Sequence, residues 1–199
     1  GAVAYTQFPV PAGQRTSAPE PATFLLMLGG ITGLMMRSAK LGFDKIKRAI
    51  DIVLSVFGLT LTSPILLFAA ILIKLDSKGP IIYKQLRLGQ DNKVFEIYKL
   101  RSMRQDAEKS VGAVWAKKND PRITALGRIL RKSRIDEIPQ LINIFRGDMS
   151  IVGPRPERPE LVLQLKKQIK DYEKRLLVKP GLTGLAQVLH KYDESIEDV

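Results

Sequence analysis

Two apolar stretches open the pattern of this chain, and a polar region follows whose hydrophobic positions recur first with period two and then with helical spacing. Residues 23–36 (TFLLMLGGITGLMM) are uncharged and run into Arg37 and Lys40. Their 14 residues fall short of the roughly 20 a spanning helix needs, so a short span, an interfacial helix and a signal-like segment all fit. Residues 52–73 (IVLSVFGLTLTSPILLFAAILI) form a longer run of 22 uncharged residues, enough to cross a bilayer. Lys45, Lys47 and Arg48 precede it, and Lys74, Lys78, Lys84 and Arg87 follow. A spanning helix carries its basic excess on one side, whereas here both ends read as cytoplasmic. Pro64 removes the N–H that would bond Thr60 and crowds the preceding turn, while Thr60, Thr62 and Ser63 supply hydroxyls for the freed backbone groups. The pattern predicts a helix that enters one leaflet, bends at Ser63-Pro64 and returns; a straight span with a tolerated proline is the alternative.

Beyond this segment, residues 81–89 and 93–103 alternate around Gln90-Asp91-Asn92, which predicts a hairpin. Residues 104–121, with Trp115, read as a loop. Ile123, Leu126, Ile129 and Leu130 have helical spacing, with Arg128, Arg131, Lys132 and Arg134 on the polar side. A second helix is expected through PQLINIF (139–145), ended by Gly147-Asp148, and an extended SIVG then leads into Pro154-Arg155-Pro156. Leu161, Leu165, Ile169, Tyr172 and Leu176 predict a long amphipathic helix over 157–176, and Pro180-Gly181 and Gly184 punctuate the tail. The expected fold class is α+β: a re-entrant helix-break-helix over 41–76 and a small, mostly helical cytoplasmic domain with a short β-hairpin over 77–199, preceded by an extension, 1–40.

Composition narrows the chemistry. Lys and Arg outnumber Asp and Glu by 32 to 20 in 199 residues, a net charge of +12, which predicts an anionic partner. There is no cysteine, and His190 is the single histidine, so disulfides, thiolate metal sites and Ser-His-Asp catalysis are excluded or disfavoured. A nucleic-acid binder would account for the charge, but the few aromatic residues are not interleaved with the basic runs as stacking platforms require. A non-catalytic anchor or assembly partner is the other alternative.

Chemistry then rests on carboxylates, Lys and Arg. In RKSRIDEIPQ, Pro139 suits the first turn of a helix, which would put Asp136 near the N-cap and Glu137 at the first helical position. Free amides and the positive dipole end there would hold both carboxylates ionised, close to Arg131 and Arg134. Taken alone, this is also how an ordinary acidic cap on a basic helix looks. A carboxylate so placed can accept a phosphoryl group as a nucleophile. Two prolines stiffen the backbone around Arg155, which presents its guanidinium to phosphate at lower entropic cost. Lys99 and Arg101 share a strand face by alternation.

The order of these pieces, a basic segment, an interrupted apolar run, KLRSM, RKSRIDEIPQLINIFRGDMSIVGPRP and KPGLTGLAQV, resembles the bacterial sugar transferase family, the monotopic polyprenyl-phosphate phosphoglycosyl transferases, from about Phe43 onward. The resemblance implies a covalent mechanism in which Asp136 takes a phosphosugar from a UDP-sugar, releases UMP, and yields its cargo to polyprenyl phosphate. It implies that Glu137 assists, that Mg2+ bridges Asp136 and the diphosphate, and that Lys99, Arg131 and Arg155 hold phosphates. It also implies a re-entrant helix broken at Ser63-Pro64; the basic surface is expected to lie against anionic lipid at the cytoplasmic face of the inner membrane, and no nucleic acid is expected as a partner. Family members continue past the GLTGLAQV segment, so a further membrane-surface segment is expected beyond Val199. Separately, Pro19-Glu20-Pro21, the first apolar run and Arg37 resemble a PEP-CTERM sorting tail, which in its own proteins lies at the C-terminus.

Overall fold

The computed structural model describes residues 21–105, 107 and 120–189; most of the expected 104–121 loop, Trp115 included, and the first 20 residues lie outside them. Helix α1 (Pro21–Asp76) contains both apolar runs. Its Gly42–Asp76 part is long and apolar enough to cross a membrane by length and composition. By compactness the chain divides into residues 1–45 and 46–199, and every expected site residue falls in the second unit.

In that second unit, α1 is two-faced in a way that hydropathy alone hides. Asp51, Ser55, Ala69 and Ile73 are buried, Leu59 and Leu66 pack into the core, and Gly58 abuts Leu141. These positions recur at helical spacing, by three, four or seven residues with Gly58 beside Leu59, and form a single stripe. Val53, Phe57, Leu61 and Phe68 on other faces are each more than 60% exposed. The helix carries on through Pro64, so the expected interruption is not a gap in the helix. The Ser63 hydroxyl donates to the Thr60 carbonyl at 2.8 Å, the very group that loses its donor to the proline. Thr60 and Thr62 bond back to Val56 and Gly58 in the same manner.

The hairpin is as expected: β1 (Ile82–Leu88) pairs antiparallel with β2 (Val94–Leu100), Tyr83 opposite Lys99. Arg101, just past β2, does not share Lys99's partners. Its guanidinium donates to the carbonyls of Ile73, Ser77 and Lys78 at the C-terminal end of α1, supplying donors where a helix end lacks them. Helix α2 (Ala125–Lys132) starts at Thr124, whose side chain accepts from the Gly127 amide at 2.9 Å. Helix α3 (Gln140–Arg146) ends at Gly147 in the left-handed region, φ 95°. Buried Asn143 on α3 is bonded on both sides of its amide to β2, accepting from the Tyr98 N–H and donating to the Glu96 carbonyl. It occupies the strand edge that β1 leaves open.

Two departures concern the C-terminal third. The helix expected over 157–176 is α4 (Pro159–Gln168) followed by a 3-10 segment, Tyr172–Leu177. Ile169 turns extended and Asp171 is left-handed at φ 61°, so the apolar spacing survives while the helix does not. Strand β3 (Ser150–Val152) matches the extended chain expected there; its parallel partner β4 (Gly181–Thr183), next to the Pro180-Gly181 turn signal, has no counterpart in the sequence pattern. Helix α5 (Leu185–Leu189) comes next.

Close backbone approach explains Gly127. A Cβ there would lie 1.9 Å from the Ser102 carbonyl oxygen, so Gly127→Ala is expected to lower stability by about 1–3 kcal/mol, as overpacking does, read as an earlier denaturant midpoint.

Candidate functional site

Asp136 and Glu137 do not sit at the start of a helix. Arg134 takes a left-handed conformation (φ 59°), the chain reverses after α2, and Ile135–Glu137 closes a single 3-10 turn. Pro139 is the N-cap of α3, whose first residue is Gln140. The carboxylates therefore lie ahead of the helix, and α3, at 7 residues, has little dipole to offer them. Both are buried nonetheless, Asp136 at 5% and Glu137 at 8% exposure.

Side-chain partners replace the dipole, and they divide unequally. Glu137 collects three cations: Lys99 Nζ lies 2.9 Å and Arg155 Nη2 3.3 Å from Oε1, and Arg134 Nη1 lies 3.8 Å from Oε2. Burial pushes its carboxyl up, but Lys99, Arg155 and Arg134 together outweigh burial and hold it at about 2. Asp136 is the reverse case. Its Oδ1 is buried and accepts no hydrogen bond among the described residues. Burial, opposed by Lys99 and reinforced by Glu137, raises its carboxyl from 3.8 to about 6. Both carboxyls titrate below neutral pH, but they are held unequally, Glu137 as a locked anion and Asp136 as a poised group. Such splitting of neighbouring carboxylates is how acid, base and nucleophile roles separate.

Of the basic residues expected at phosphate, Lys99 and Arg155 meet at Glu137. Burial lowers the Lys99 ammonium, which Glu137 offsets. Arg131 acts on Asp136 through its charge and makes no side-chain hydrogen bond among the described residues. Three cations around one carboxylate leave the cluster net positive, which suits an anionic ligand.

The Arg155 loop is braced by residues that sequence patterning passed over. Arg87 on β1 donates to the Pro156 carbonyl at 3.0 Å and pairs with buried Glu157 at 3.5 Å. Arg175 lies over the Tyr172 ring and donates to the Arg155 carbonyl at 2.9 Å. The acidic residue directly after Pro156 was the available signal; its partner, Arg87 on the hairpin, carried none. Beside the loop a cleft of about 520 Å³ is lined by Arg155, Lys170, Arg175 and Gln187 among others. The buried Gln187 carboxamide has no hydrogen-bond partner among the described residues.

No group of three or more metal-ligating side chains exists among the described residues. Mg2+ differs from zinc here, because it is commonly held by one or two carboxylates together with substrate phosphates. The orphaned Asp136 oxygen fits that kind of site.

The sequence profile described as bacterial sugar transferase matches residues 43–199. The chain is 46% identical over 153 residues to the UDP-N-acetylgalactosamine-undecaprenyl-phosphate N-acetylgalactosaminephosphotransferase of Aeromonas hydrophila, covering 77% of this chain and 36% of that protein. It is 45% identical over 146 residues to the exopolysaccharide production protein PSS of Rhizobium leguminosarum bv. phaseoli, covering 72% and 73% respectively. With the UDP-glucose:undecaprenyl-phosphate glucose-1-phosphate transferase of Escherichia coli it shares 46% over 143 residues, 72% of this chain and 31% of that protein. The chain thus spans about a third of two of these relatives and nearly three quarters of the other. A matched profile that takes in the whole carboxylate–cation cluster, from Lys99 through Asp136 and Glu137 to Arg155, makes this chain a member of the bacterial sugar transferase family.

Proposed function

We infer that the chain is a membrane-attached phosphoglycosyl transferase that moves a sugar 1-phosphate from a UDP-sugar to undecaprenyl phosphate, with the phosphosugar carried in transit on Asp136. The names of the relatives supply the class of reaction. The observation that carries the mechanism is Asp136 Oδ1: buried, without a hydrogen bond among the described residues, and in the field of Lys99, Arg131 and Arg134. A carboxylate oxygen with no donor to satisfy keeps its lone pairs for an incoming phosphorus.

In this reading an Asp136 oxygen attacks the sugar-bearing phosphorus. The bond to the bridging oxygen breaks, and UMP leaves with that electron pair. A phosphate oxygen of undecaprenyl phosphate then attacks the aspartyl phosphorus, and Asp136 departs as a free carboxylate. Glu137 stays ionised throughout and holds Lys99 and Arg155 against the phosphates, where their charge offsets what builds up in transfer. Asp136 is the side chain that would hold Mg2+, which when bound would neutralise further charge. The cleft beside Arg155 gives the rest of the donor a place to lie.

The membrane arrangement rests on the stripe on α1. From Asp51 to Ile73 the helix packs on the globular part over roughly 33 Å, at 1.5 Å per residue. A helix standing across the bilayer would drag polar surface into hydrocarbon along that length, which is costly. A helix held in one leaflet, re-entrant at Ser63-Pro64, turns Val53, Phe57, Leu61 and Phe68 to lipid and keeps the site at the headgroup level. Basic residues at both ends favour the cytoplasmic face and anionic lipid. Protease-accessible sites at 44–48 and 76–90 on the same side of sealed vesicles agree with this; opposite sides would overturn it.

The activity itself is tested by screening UDP-sugars with undecaprenyl phosphate vesicles and Mg2+. UMP release is expected with at least one sugar, to depend on both additions, and to stop on chelation. A membrane-bound, folded chain that releases UMP from no sugar would favour a non-catalytic anchor instead.

A further inference from the structure

The charged residues at the start of the long apolar run are informative for topology as a count of charges. In the fold Lys47, Arg48 and Asp51 each grip particular groups of the chain. Arg48 donates from Nη1 to the Ile144 carbonyl and from Nη2 to the Phe145 carbonyl, both at 2.6 Å. It thereby closes the C-terminal end of α3, where helix carbonyls lack donors. Asp51 is 4% exposed, and its Oδ1 accepts from the Ser150 hydroxyl at 3.0 Å and from the Ile151 N–H at 2.9 Å. Lys47 donates to the Val152 carbonyl at 3.0 Å.

The gripped segments are the two that carry the site. Helix α3 begins three residues after Glu137, and β3 runs through Gly153 into Pro154-Arg155-Pro156. The Glu137–Arg155 pair, at 3.3 Å, ties the Arg155 loop directly to the Asp136–Glu137 turn. The membrane helix supplies a second, independent tie between the two halves. Burying a carboxylate is costly unless hydrogen bonds compensate its lost hydration, and for Asp51 β3 provides them.

We propose that Arg48 and Asp51 are positioning residues: from the membrane helix they hold the Asp136–Glu137 turn and the Arg155 loop in register for the phosphates of the donor. The proposal rests on the transferase reading for its kinetic consequences but not for its geometry.

Charge and hydrogen-bond geometry can be separated by substitution. Asp51→Asn keeps the oxygen that accepts both bonds and loses the charge, whereas Asp51→Ala loses both. Arg48→Lys keeps the charge that orients the helix but cannot span two carbonyls with one ammonium. The full chain in undecaprenyl phosphate vesicles is assayed for kcat, KM for the UDP-sugar, vesicle flotation, and hydrogen exchange at the Ile151 amide. Asp51→Ala is expected to float normally, to raise KM and lower kcat by a combined factor of about 30–100, and to exchange at Ile151 at least about tenfold faster. Asp51→Asn should recover most of both changes. Arg48→Lys should resemble Arg48→Ala in kinetics and the parent chain in flotation. An Asp51→Ala chain with parental exchange and kinetics overturns the proposal, as does an Asn variant no better than Ala. If the parent chain itself releases no UMP, the transferase reading fails, and the exchange measurement still decides whether the tie exists.

Discussion

Asp136→Asn is expected to reduce UMP release at least about a thousandfold and, at the same time, to make the protein more stable. The first effect follows from losing a nucleophile whose action is confined to the reaction. The second follows from the cost of keeping that nucleophile ready. Burial raises the Asp136 carboxyl from 3.8 to about 6, so between those values the folded chain binds a proton that the unfolded chain releases. Stability from this group is complete below about 3.8 and is lost as pH rises through about 6. At pH 7 the whole penalty is present, up to about 3 kcal/mol. The carboxamide never ionises and escapes most of it. Thermal unfolding in chelator should show Asp136→Asn melting higher than the parent at pH 7, with the gap closing toward pH 4. An inactive variant that melts lower would mean activity was lost through the fold instead.

The second large effect belongs to Glu137. Glu137→Ala leaves Lys99 and Arg155 facing one another in a half-buried site without their shared anion. Removing one partner from a buried ion pair costs about 3–5 kcal/mol, mostly because the other charge stays behind. Turnover is expected to fall by about a hundredfold or more, since both phosphate-facing cations lose their anchor. Glu137→Gln, which retains an oxygen to accept from both, should lose less. The pH signature is opposite to that of Asp136. With its carboxyl held at about 2 against an ordinary 4.5, Glu137 contributes stability above about 4.5 that disappears as pH falls toward 2. Urea titrations of the two chains at pH 7 and pH 3 separate these contributions.

How much of the fold and site is legible in the sequence depends on the kind of signal. The hairpin, α2 and α3 announce themselves through periodicity and turn residues, and Lys99, Asp136, Glu137 and Arg155 through a segment order shared with a family. Pro139 is legible as a helix-start residue, but the left-handed turn at Arg134 inserts a 3-10 turn ahead of the helix and displaces the carboxylates from its first turn. Nothing in local propensity favours Arg in that conformation. The stripe on α1 is hidden for a different reason. In an apolar helix, residues that face lipid and residues that face protein are of the same kind, so no contrast marks the face. Polar Asp51, Ser55 and Gly58 are the only clue, and Asp51 reads as a boundary. Arg48 looks like a topology signal because charge counting ignores which carbonyl a side chain reaches. Parallel pairing of β3 with β4 joins segments about 30 residues apart (Ser150 with Gly181), and no three-residue strand carries enough pattern to specify a distant partner.

Intact-mass spectrometry offers the most direct look at the transfer step. The chain is mixed with an accepted UDP-sugar and Mg2+ in the absence of undecaprenyl phosphate, quenched, weighed and digested. A gain of one sugar phosphate on the peptide holding Asp136, absent from Asp136→Asn and chased away by undecaprenyl phosphate, is the predicted result. A preparation that releases UMP on full turnover yet never shows that adduct would contradict a covalent carrier at Asp136.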